Sequence, residues 1–368
     1  MRGALAAFFG VLRTQRGAQQ NPLVYAAPET ISGGPRQEKL KEKMVRNPQF
    51  QAPPRDFARP TTAVRHLVRV LSRGRLLARG MLLSRGMPLA RGMLLARGML
   101  LFGLLGLVAC QRQIEYQPGH ANPAPAALGL HGVQVATLET PDHVHLILWY
   151  ARPSPGKPTV LFFQGNAGDM TDRAPRLAFY QSKGLGAAFL SYRGFGGSTG
   201  RTTEKGLITD ARTAYDWLRR TTPPTRIALV GESLGTGVAV QLAAQVPVAA
   251  VALDAPYASA LGVAEQRFPW LPVALLMKDQ FLSINHIADI NAPLLIQHGT
   301  ADMVIPYASA RTLYAAALQP KTFVTLPDRG HEIIFDRDVW QREVDFLCHP
   351  GRAPAPPAPS TPAPPTSK

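Results

Sequence analysis

The clearest structural signal in this chain is the stretch Ile227-Ala-Leu-Val-Gly-Glu-Ser-Leu-Gly235, followed by Thr236-Gly-Val-Ala-Val-Gln-Leu-Ala-Ala244. Its first four residues form an apolar run of strand length, and the residues after Ser233 have the composition of a helix. A G-x-S-x-G sequence between a strand and a helix places the serine on a sharp, strained turn with its hydroxyl exposed. Gly231 and Gly235 are the small residues that let the strand and helix approach each other. We therefore interpret Ser233 as a nucleophile at the carboxyl end of a buried strand.

Strand-length apolar runs alternate with helix-like stretches on both sides of this turn. The runs are continuous, which indicates strands that are covered on both faces. The expected strands are Thr159–Phe163, Gly186–Ser191, Ile227–Val230, Ala249–Leu253, Pro293–Gln297 and Lys321–Leu326, with helices around 173–183, 204–220, 234–245, 307–318 and 335–347. Val133–Leu138 and His143–Tyr150 predict a hairpin ahead of them. The pattern predicts an α/β fold with a mostly parallel sheet, in which ligands bind at the carboxyl ends of the strands.

A serine hydroxyl becomes a good nucleophile only when a base lies within hydrogen-bond reach and an acid orients that base. In a fold of this kind the acid and the histidine follow the serine, each in a loop after a later strand. Asp302 comes just past the fifth predicted strand and His331 just past the sixth. We predict a catalytic triad of Ser233, Asp302 and His331. Asp254 and Asp328 remain alternative acids, and Asp254 can also be interpreted as a structural hydrogen-bond acceptor near the turn.

Acyl transfer also needs donors that point at a developing oxyanion. The backbone N–H of Leu234, at the start of the helix after the nucleophile, is one candidate. The loop Gln164-Gly-Asn-Ala-Gly168 follows the first predicted strand, and its glycines let the backbone approach a substrate. We expect the backbone N–H of Asn166 to be the second donor of the oxyanion hole.

Five motifs agree with this interpretation as a set. They are Gln164–Gly168, Tyr192-Arg-Gly-Phe-Gly-Gly-Ser198, Gly231–Gly235, His298–Asp302 and Gly330-His331. Together they resemble the α/β-hydrolase superfamily, in its branch of small lysophospholipase-like or Bem-type serine hydrolases. The resemblance covers about 130–348 and implies an α/β-hydrolase fold with a short cap. Gln164 stands where that family usually carries histidine, so we expect altered support of the loop but no loss of activity.

The resemblance implies a serine hydrolase that cleaves carboxylic ester or thioester bonds of a small-molecule substrate through an acyl-enzyme. A serine peptidase of the same fold remains open, because amide and ester cleavage share this machinery. A catalytically silent, membrane-tethered binding module is the alternative from a different class. We expect no cofactor and no metal, because His143 and His145 form a pair without a third ligand.

The stretch between Tyr257 and Asn291 lies where proteins of this family carry their cap. Its large apolar side chains suit an acyl or aromatic group, but they can equally pack the cap onto the core. They are Phe268, Trp270, Leu271, Leu275, Leu276 and Phe281. Both interpretations remain open.

The positive charge of the chain is concentrated in its first part. The formal net charge is +16, and residues 1–110 hold 18 Lys+Arg against 4 Asp+Glu, whereas the remainder holds 22 against 20. A basic surface for nucleic acid would be expected on the folded part, so we expect no nucleic-acid partner. Residues 1–98, which contain repeats of the form Leu-Leu-Ala-Arg-Gly-Met, are interpreted as a disordered or spurious N-terminal extension.

An apolar run at 99–109 follows the last of these arginines and is closed by Cys110. A basic lead, a short apolar run and a small residue are typical of a secretory signal, and the run is too short to span a bilayer. Leu107-Val-Ala-Cys110 also resembles the lipobox of bacterial lipoproteins. That resemblance implies lipidation of Cys110 and an exported, membrane-anchored protein of the bacterial cell envelope. The remaining segments are 110–129, the lipidated cysteine and a linker; 130–350, the α/β-hydrolase domain; and 351–368, a Pro/Ala-rich disordered tail.

Overall fold

The structure, a computed structural model, describes residue 106 and residues 111–350. The predictions made for 1–98, for Cys110, for the tail 351–368 and for all but one residue of 99–109 lie outside the described residues. Within the described part, no helix has the length and apolar character needed to cross a membrane.

Ten strands in the described part form one large and one small sheet. In chain order they are β1 (Gln117–Pro118), β2 (Val133–Glu139), β3 (His145–Ala151), β4 (Thr159–Phe163), β5 (Ala167–Gly168), β6 (Gly186–Ser191), β7 (Ile227–Glu232), β8 (Ala250–Asp254), β9 (Leu294–Gly299) and β10 (Lys321–Leu326). The eight-stranded sheet has the order β10-β9-β8-β7-β4-β6-β3-β2, and β1 pairs with β5 alone. Strand β3 is antiparallel to both of its neighbours. Six of the other strands, β4 and β6 to β10, run parallel to one another.

Helices cover both faces of the large sheet. They are α1 (Met170–Ser182), α2 (Glu204–Leu218), α3 (Leu234–Ala243), α4 (Ala260–Arg267), α5 (Val273–Leu276), α6 (Tyr307–Ala316) and α7 (Arg337–Cys348). Buried side chains of α2, α3 and α6 belong to one apolar core, and those of α1 and α7 belong to the core on the other face. The central strands are buried on both faces, as their continuous apolar runs predict.

The predicted α/β fold with a mostly parallel sheet is confirmed. Strands β4, β6 and β10 have the predicted bounds, and the N-terminal hairpin is formed by β2 and β3. Strand β7 extends two residues farther than expected, to Glu232, because the backbone continues to pair with β8 up to the turn at Ser233. The carboxyl ends of β4, β7, β9 and β10 bring the loops with the candidate residues to one edge of the sheet.

The segment 111–122, for which the sequence suggests a linker, makes specific contacts with the folded part of the chain. Residues 111–115 are helical, and Tyr116 is only 4% exposed. Strand β1 then pairs in parallel with β5, which lies in the loop after β4. We call residues 111–122 the N-terminal strap.

Candidate active site

Ser233 occupies a strained turn between β7 and α3. Its backbone has φ 50° and ψ −119°, a region that residues other than glycine rarely adopt. A Cβ atom added to Gly231 would lie 2.5 Å from the Gly235 carbonyl oxygen, and one added to Gly235 would lie 2.1 Å from the carbonyl oxygen of Phe163. Neither position can hold a larger residue without movement of the backbone, which explains the two glycines of the motif.

The structure brings together the three side chains that the sequence predicts as a triad. The distance from His331 Nε2 to Ser233 Oγ is 3.0 Å, and the distance from His331 Nδ1 to Asp302 Oδ2 is 2.7 Å. Ser233 and Asp302 are nearly buried, while the His331 side chain keeps 15% of its surface exposed. The imidazole therefore bridges a hydroxyl and a carboxylate, which is the arrangement needed to remove the proton from the serine.

The environment of Asp302 keeps its carboxyl group ionised. Burial alone would raise the pKa of Asp302, but the hydrogen bond and charge of His331 and two backbone N–H groups outweigh burial and lower it. Those N–H groups belong to Val304 and Ile305 and lie 2.8 and 2.9 Å from Asp302 Oδ1. His298 Nε2 lies 3.9 Å from the other carboxylate oxygen, and burial lowers the pKa of this second imidazole. At neutral pH Asp302 is thus a charged acceptor for the Nδ1–H of His331.

The two alternative acids have other surroundings. Asp254 is fully buried and accepts hydrogen bonds from Arg176 Nη2 at 2.6 Å and from Gln297 Nε2 at 3.2 Å. This matches its interpretation as a structural acceptor near the turn. Asp328 is exposed, with its backbone at φ 56° and its N–H bonded to Thr300 Oγ1.

Of the two predicted oxyanion-hole residues, Leu234 directly follows the nucleophile and Asn166 lies in the loop after β4. Leu234 is the first residue of α3, where backbone N–H groups lack partners within the helix. A Cβ atom added to Gly165 would lie 3.6 Å from Ser233 Cβ, so the loop after β4 passes directly beside the serine. Among the hydrogen bonds of residues 111–350, neither the Asn166 nor the Leu234 backbone N–H has an acceptor. Both donors are therefore available to a substrate oxygen.

Glu232, the residue before the nucleophile, is a functional candidate that sequence reasoning missed. Its Oε1 accepts a hydrogen bond from Gly165 N at 3.1 Å, and it is completely buried. Arg173 Nε forms an ion pair with the same oxygen at 2.6 Å, and Arg176 Nη1 lies 3.2 Å from Oε2. Arg176 also pairs with Glu343. The sequence feature that could have identified Glu232 is a charged residue at the end of a buried strand, together with two arginines three residues apart in α1.

Gln164, the departure from the family pattern, lends no side-chain support to the oxyanion loop. The residue is fully buried, and neither Oε1 nor Nε2 has a hydrogen-bond partner among the described residues. The loop is held through its backbone instead, since the Tyr192 hydroxyl donates to the Gln164 carbonyl oxygen at 3.1 Å. This agrees with the expectation of altered support.

The apolar side chains of the cap differ in exposure. Phe281 is fully buried in the core, whereas Trp270 is 57% and Leu275 is 86% exposed.

The histidine pair lies on the surface. His143 Nδ1 lies 2.8 Å from Glu139 Oε1 in an exposed i,i+4 pair. Among residues 111–350, no group of three His, Cys, Asp or Glu side chains is arranged to hold a metal ion.

Comparison with known proteins agrees with the fold. Residues 158–279 match the α/β hydrolase fold family. The chain is also 32% identical over 267 residues to the alpha/beta hydrolase domain-containing protein WAV2 of Arabidopsis thaliana, covering 65% of this chain and 85% of that protein. The chain belongs to the α/β-hydrolase family.

Two further similarities extend this result. The chain is 41% identical over 226 residues to the uncharacterized protein Rv2307c of Mycobacterium tuberculosis, which covers 60% of this chain and 80% of the relative. The solved structure of the esterase Pf2001 of Pyrococcus furiosus superposes with a TM-score of 0.52 at 21% identity, covering 63% of this chain and 97% of that one. At that identity the superposition shows the shared fold.

Proposed function

We propose that this protein is a serine hydrolase that cleaves carboxylic ester or thioester bonds through an acyl-enzyme intermediate. The observation that carries the proposal is the position of His331, whose two ring nitrogens lie 3.0 Å from Ser233 Oγ and 2.7 Å from Asp302 Oδ2. Membership of the α/β-hydrolase family and the esterase activity named for the P. furiosus structure support it.

In the proposed reaction, His331 Nε2 takes the proton of Ser233 as Oγ attacks the substrate carbonyl carbon. The negative charge that develops on the carbonyl oxygen is held by the backbone N–H groups of Asn166 and Leu234. His331 then protonates the leaving alcohol or thiol, and the acyl group remains on Ser233. A water molecule, deprotonated by His331, attacks the acyl-enzyme and releases the acid. Throughout, Asp302 keeps the imidazole oriented and stabilises its charged form.

The direct test is labelling of the purified protein with a fluorophosphonate probe, followed by peptide mapping of the modified residue. We expect stoichiometric labelling at Ser233 and hydrolysis of p-nitrophenyl esters, and both are expected to disappear in Ser233→Ala. Ser309 is a suitable control position, because its hydroxyl accepts from the Ala258 backbone N–H, away from His331. Ser309→Ala should still be labelled. Ester hydrolysis that persists in Ser233→Ala would refute the proposal.

Ester, thioester and peptide substrates compared at equal concentration separate the two enzymatic interpretations. Faster turnover of the ester or thioester is expected, because the leaving alcohol or thiol is easier to expel than an amine. Cleavage of peptides alone would replace the proposal with a serine peptidase.

We also propose that the protein is an exported lipoprotein anchored through Cys110. The proposal rests on the sequence 107–110 and is supported by the position of the next residue, Gln111, whose side-chain oxygen accepts from the cap at Lys278 N. The nearby cap residues Trp270 and Leu275 are exposed apolar side chains of the kind found at lipid–water interfaces. Mass spectrometry of the mature N-terminus should find an acylated Cys110. An exported protein that still begins at residue 1 would refute the anchor.

A further inference from the structure

The N-terminal strap holds the residue that we assign to the oxyanion hole. The backbone N–H of Gln117 donates to the Asn166 carbonyl oxygen at 2.8 Å. In the opposite direction, Asn166 Nδ2 donates to the Glu115 carbonyl oxygen at 3.0 Å. The strap thus engages the carbonyl and the side-chain amide of Asn166 and leaves its backbone N–H without an acceptor in the described part.

The strap is itself fixed on both sides of these two hydrogen bonds. Downstream, Gly119 N donates to the Gly168 carbonyl oxygen at 2.7 Å, and Ala121 N donates to Asp169 Oδ2 at 3.0 Å. Upstream, Arg112 Nε lies 2.6 Å from Asp279 Oδ2 of the cap. Because Asp279 is almost completely buried, this pair is shielded from solvent on the carboxylate side.

The fit of the strap is close, as its glycine contacts show. A Cβ atom added to Gly196 would lie 2.1 Å from the Ala121 carbonyl oxygen, and one added to Gly119 would lie 2.4 Å from Asp169 Oδ2. The loops after β4 and β6 therefore have a surface that matches the strap backbone. Such contacts indicate a built interface and differ from those of a loose linker.

The oxyanion loop needs support of this kind. Its first side chain, Gln164, has no hydrogen-bond partner among the described residues, and the next residue is a glycine. Glu232 holds Gly165 from the side of the nucleophile, so Asn166 is left to the strap. An oxyanion donor is effective only when it is held in place before the charge develops, since reorientation during the reaction costs free energy.

We propose that the strap is a working part of the active site and that Gln117 is a positioning residue, acting through its backbone N–H on Asn166. The inference rests on the proposed serine hydrolase function. It implies that residues between the proposed lipid anchor and the hydrolase domain are required for full activity, and that a protein starting at residue 130 would be a poor catalyst.

The test replaces the single N–H group in the full chain. Gln117→Pro removes that donor, whereas the matched control Gln117→Ala keeps it and removes only the side chain. We expect kcat for p-nitrophenyl butyrate to fall at least about tenfold in Gln117→Pro, because misplacement of a reacting group by about 1 Å can cost a hundredfold in rate. KM should change less than about twofold, and Gln117→Ala should retain the wild-type kcat. The affinity of a trifluoromethyl ketone inhibitor should fall in parallel with kcat, since the inhibitor forms the oxyanion on binding.

A second variant covers the case in which Gln117→Pro does not fold. Asn166→Ala keeps the backbone N–H that we assign to the oxyanion and the hydrogen bond from Gln117 N, but it removes the second contact with the strap, the hydrogen bond to the Glu115 carbonyl oxygen. It should therefore lower kcat with KM retained, by less than Gln117→Pro does. Equal kcat in wild type, Asn166→Ala and any folded Gln117→Pro would overturn the role of the strap. Failure of the proposed function is distinguishable, because then wild type itself would not be labelled by fluorophosphonate at Ser233.

Discussion

Arg176 Nη2 and Asp254 Oδ2 lie 2.6 Å apart inside the protein, next to the turn that carries Ser233. Asp254 pairs in register with Glu232, the residue before the serine, and Arg176 contacts both carboxylates. One guanidinium therefore bridges the acidic residues at the ends of two neighbouring strands. The acid that faces His331 is Asp302, which follows β9, and not Asp254, which ends β8.

Amide substitutions at Asp302 and Asp254 should affect different properties, the first activity and the second stability. Asp302→Asn is expected to lower kcat by roughly 10³- to 10⁴-fold, because the amide no longer favours the tautomer and the charged form of His331 that the reaction needs. Asp254→Asn should keep most of the activity of the folded protein and instead lower the free energy of unfolding. Ester hydrolysis and urea unfolding of both variants check this. Similar losses of kcat in both would contradict the assignment.

Loss of Arg176 should strongly destabilise the protein. Arg176→Met leaves the buried carboxylates of Glu232, Asp254 and Glu343 without their shared cation, so we expect a loss of about 3–5 kcal/mol in the free energy of unfolding. The matched control is Arg212→Met, because Arg212 pairs with Asp216 on the surface, where both side chains are nearly half exposed. Its effect should stay within about 0.5 kcal/mol. Equal urea midpoints for the two variants would contradict the prediction.

The strain at Ser233 should be measurable as stability. Ser233→Ala and Ser233→Gly both remove the hydroxyl, but only glycine adopts φ 50°, ψ −119° without a steric penalty. We expect Ser233→Gly to be more stable than Ser233→Ala by about 1 kcal/mol, or roughly 2–4 °C in Tm. Thermal unfolding of both inactive variants gives the comparison. A Tm for Ser233→Gly at or below that of Ser233→Ala would show that the turn stores no such strain.

Glu115 in the strap should make stability depend on pH. Burial, together with the smaller effects of the charges of Asp279 and Glu204, raises the pKa of its carboxyl group to about 9, while Arg112 acts in the opposite direction. Between the ordinary pKa and 9 the folded state holds a proton that the unfolded state has released, so stability falls as pH rises.

In Glu115→Gln this contribution is absent. The urea midpoint of wild type should therefore decline relative to that of the variant between pH 5 and pH 9, and the two should converge at the acidic end. Parallel curves over this range would contradict the raised pKa.

Much of the site could be predicted because its signals are local. The G-x-S-x-G turn carries its own constraint, since Gly231 and Gly235 face backbone atoms at distances that exclude any side chain. Asp302 and His331 could be assigned because each follows a strand whose continuous apolar run is visible in the sequence, and parallel strands end at the same edge of a sheet. The prediction of Asn166 as an oxyanion donor used the same rule, and its catalytic role stays a prediction.

The contacts around Glu232 and Asn166 could not be predicted in this way. Arg176 pairs with Asp254 across 78 residues and with Glu343 across 167, and no periodicity marks such pairs. The strap was also missed, since the Pro, Gly and Asn residues after Gln117 have the composition of a linker and gain order only from the surface on which they lie.

The amino-acid order alone determined the strands, the helices and the strained turn at Ser233, because apolar periodicity and glycine sterics act between residues that are close in the chain. The packing of separate elements determines which carboxylate faces His331, which acidic side chains pair with a buried guanidinium, and what holds Asn166. Those outcomes depend on distances between side chains from separate elements, and burial makes such distances decisive because an unpaired charge or a misdirected donor is costly once water is excluded.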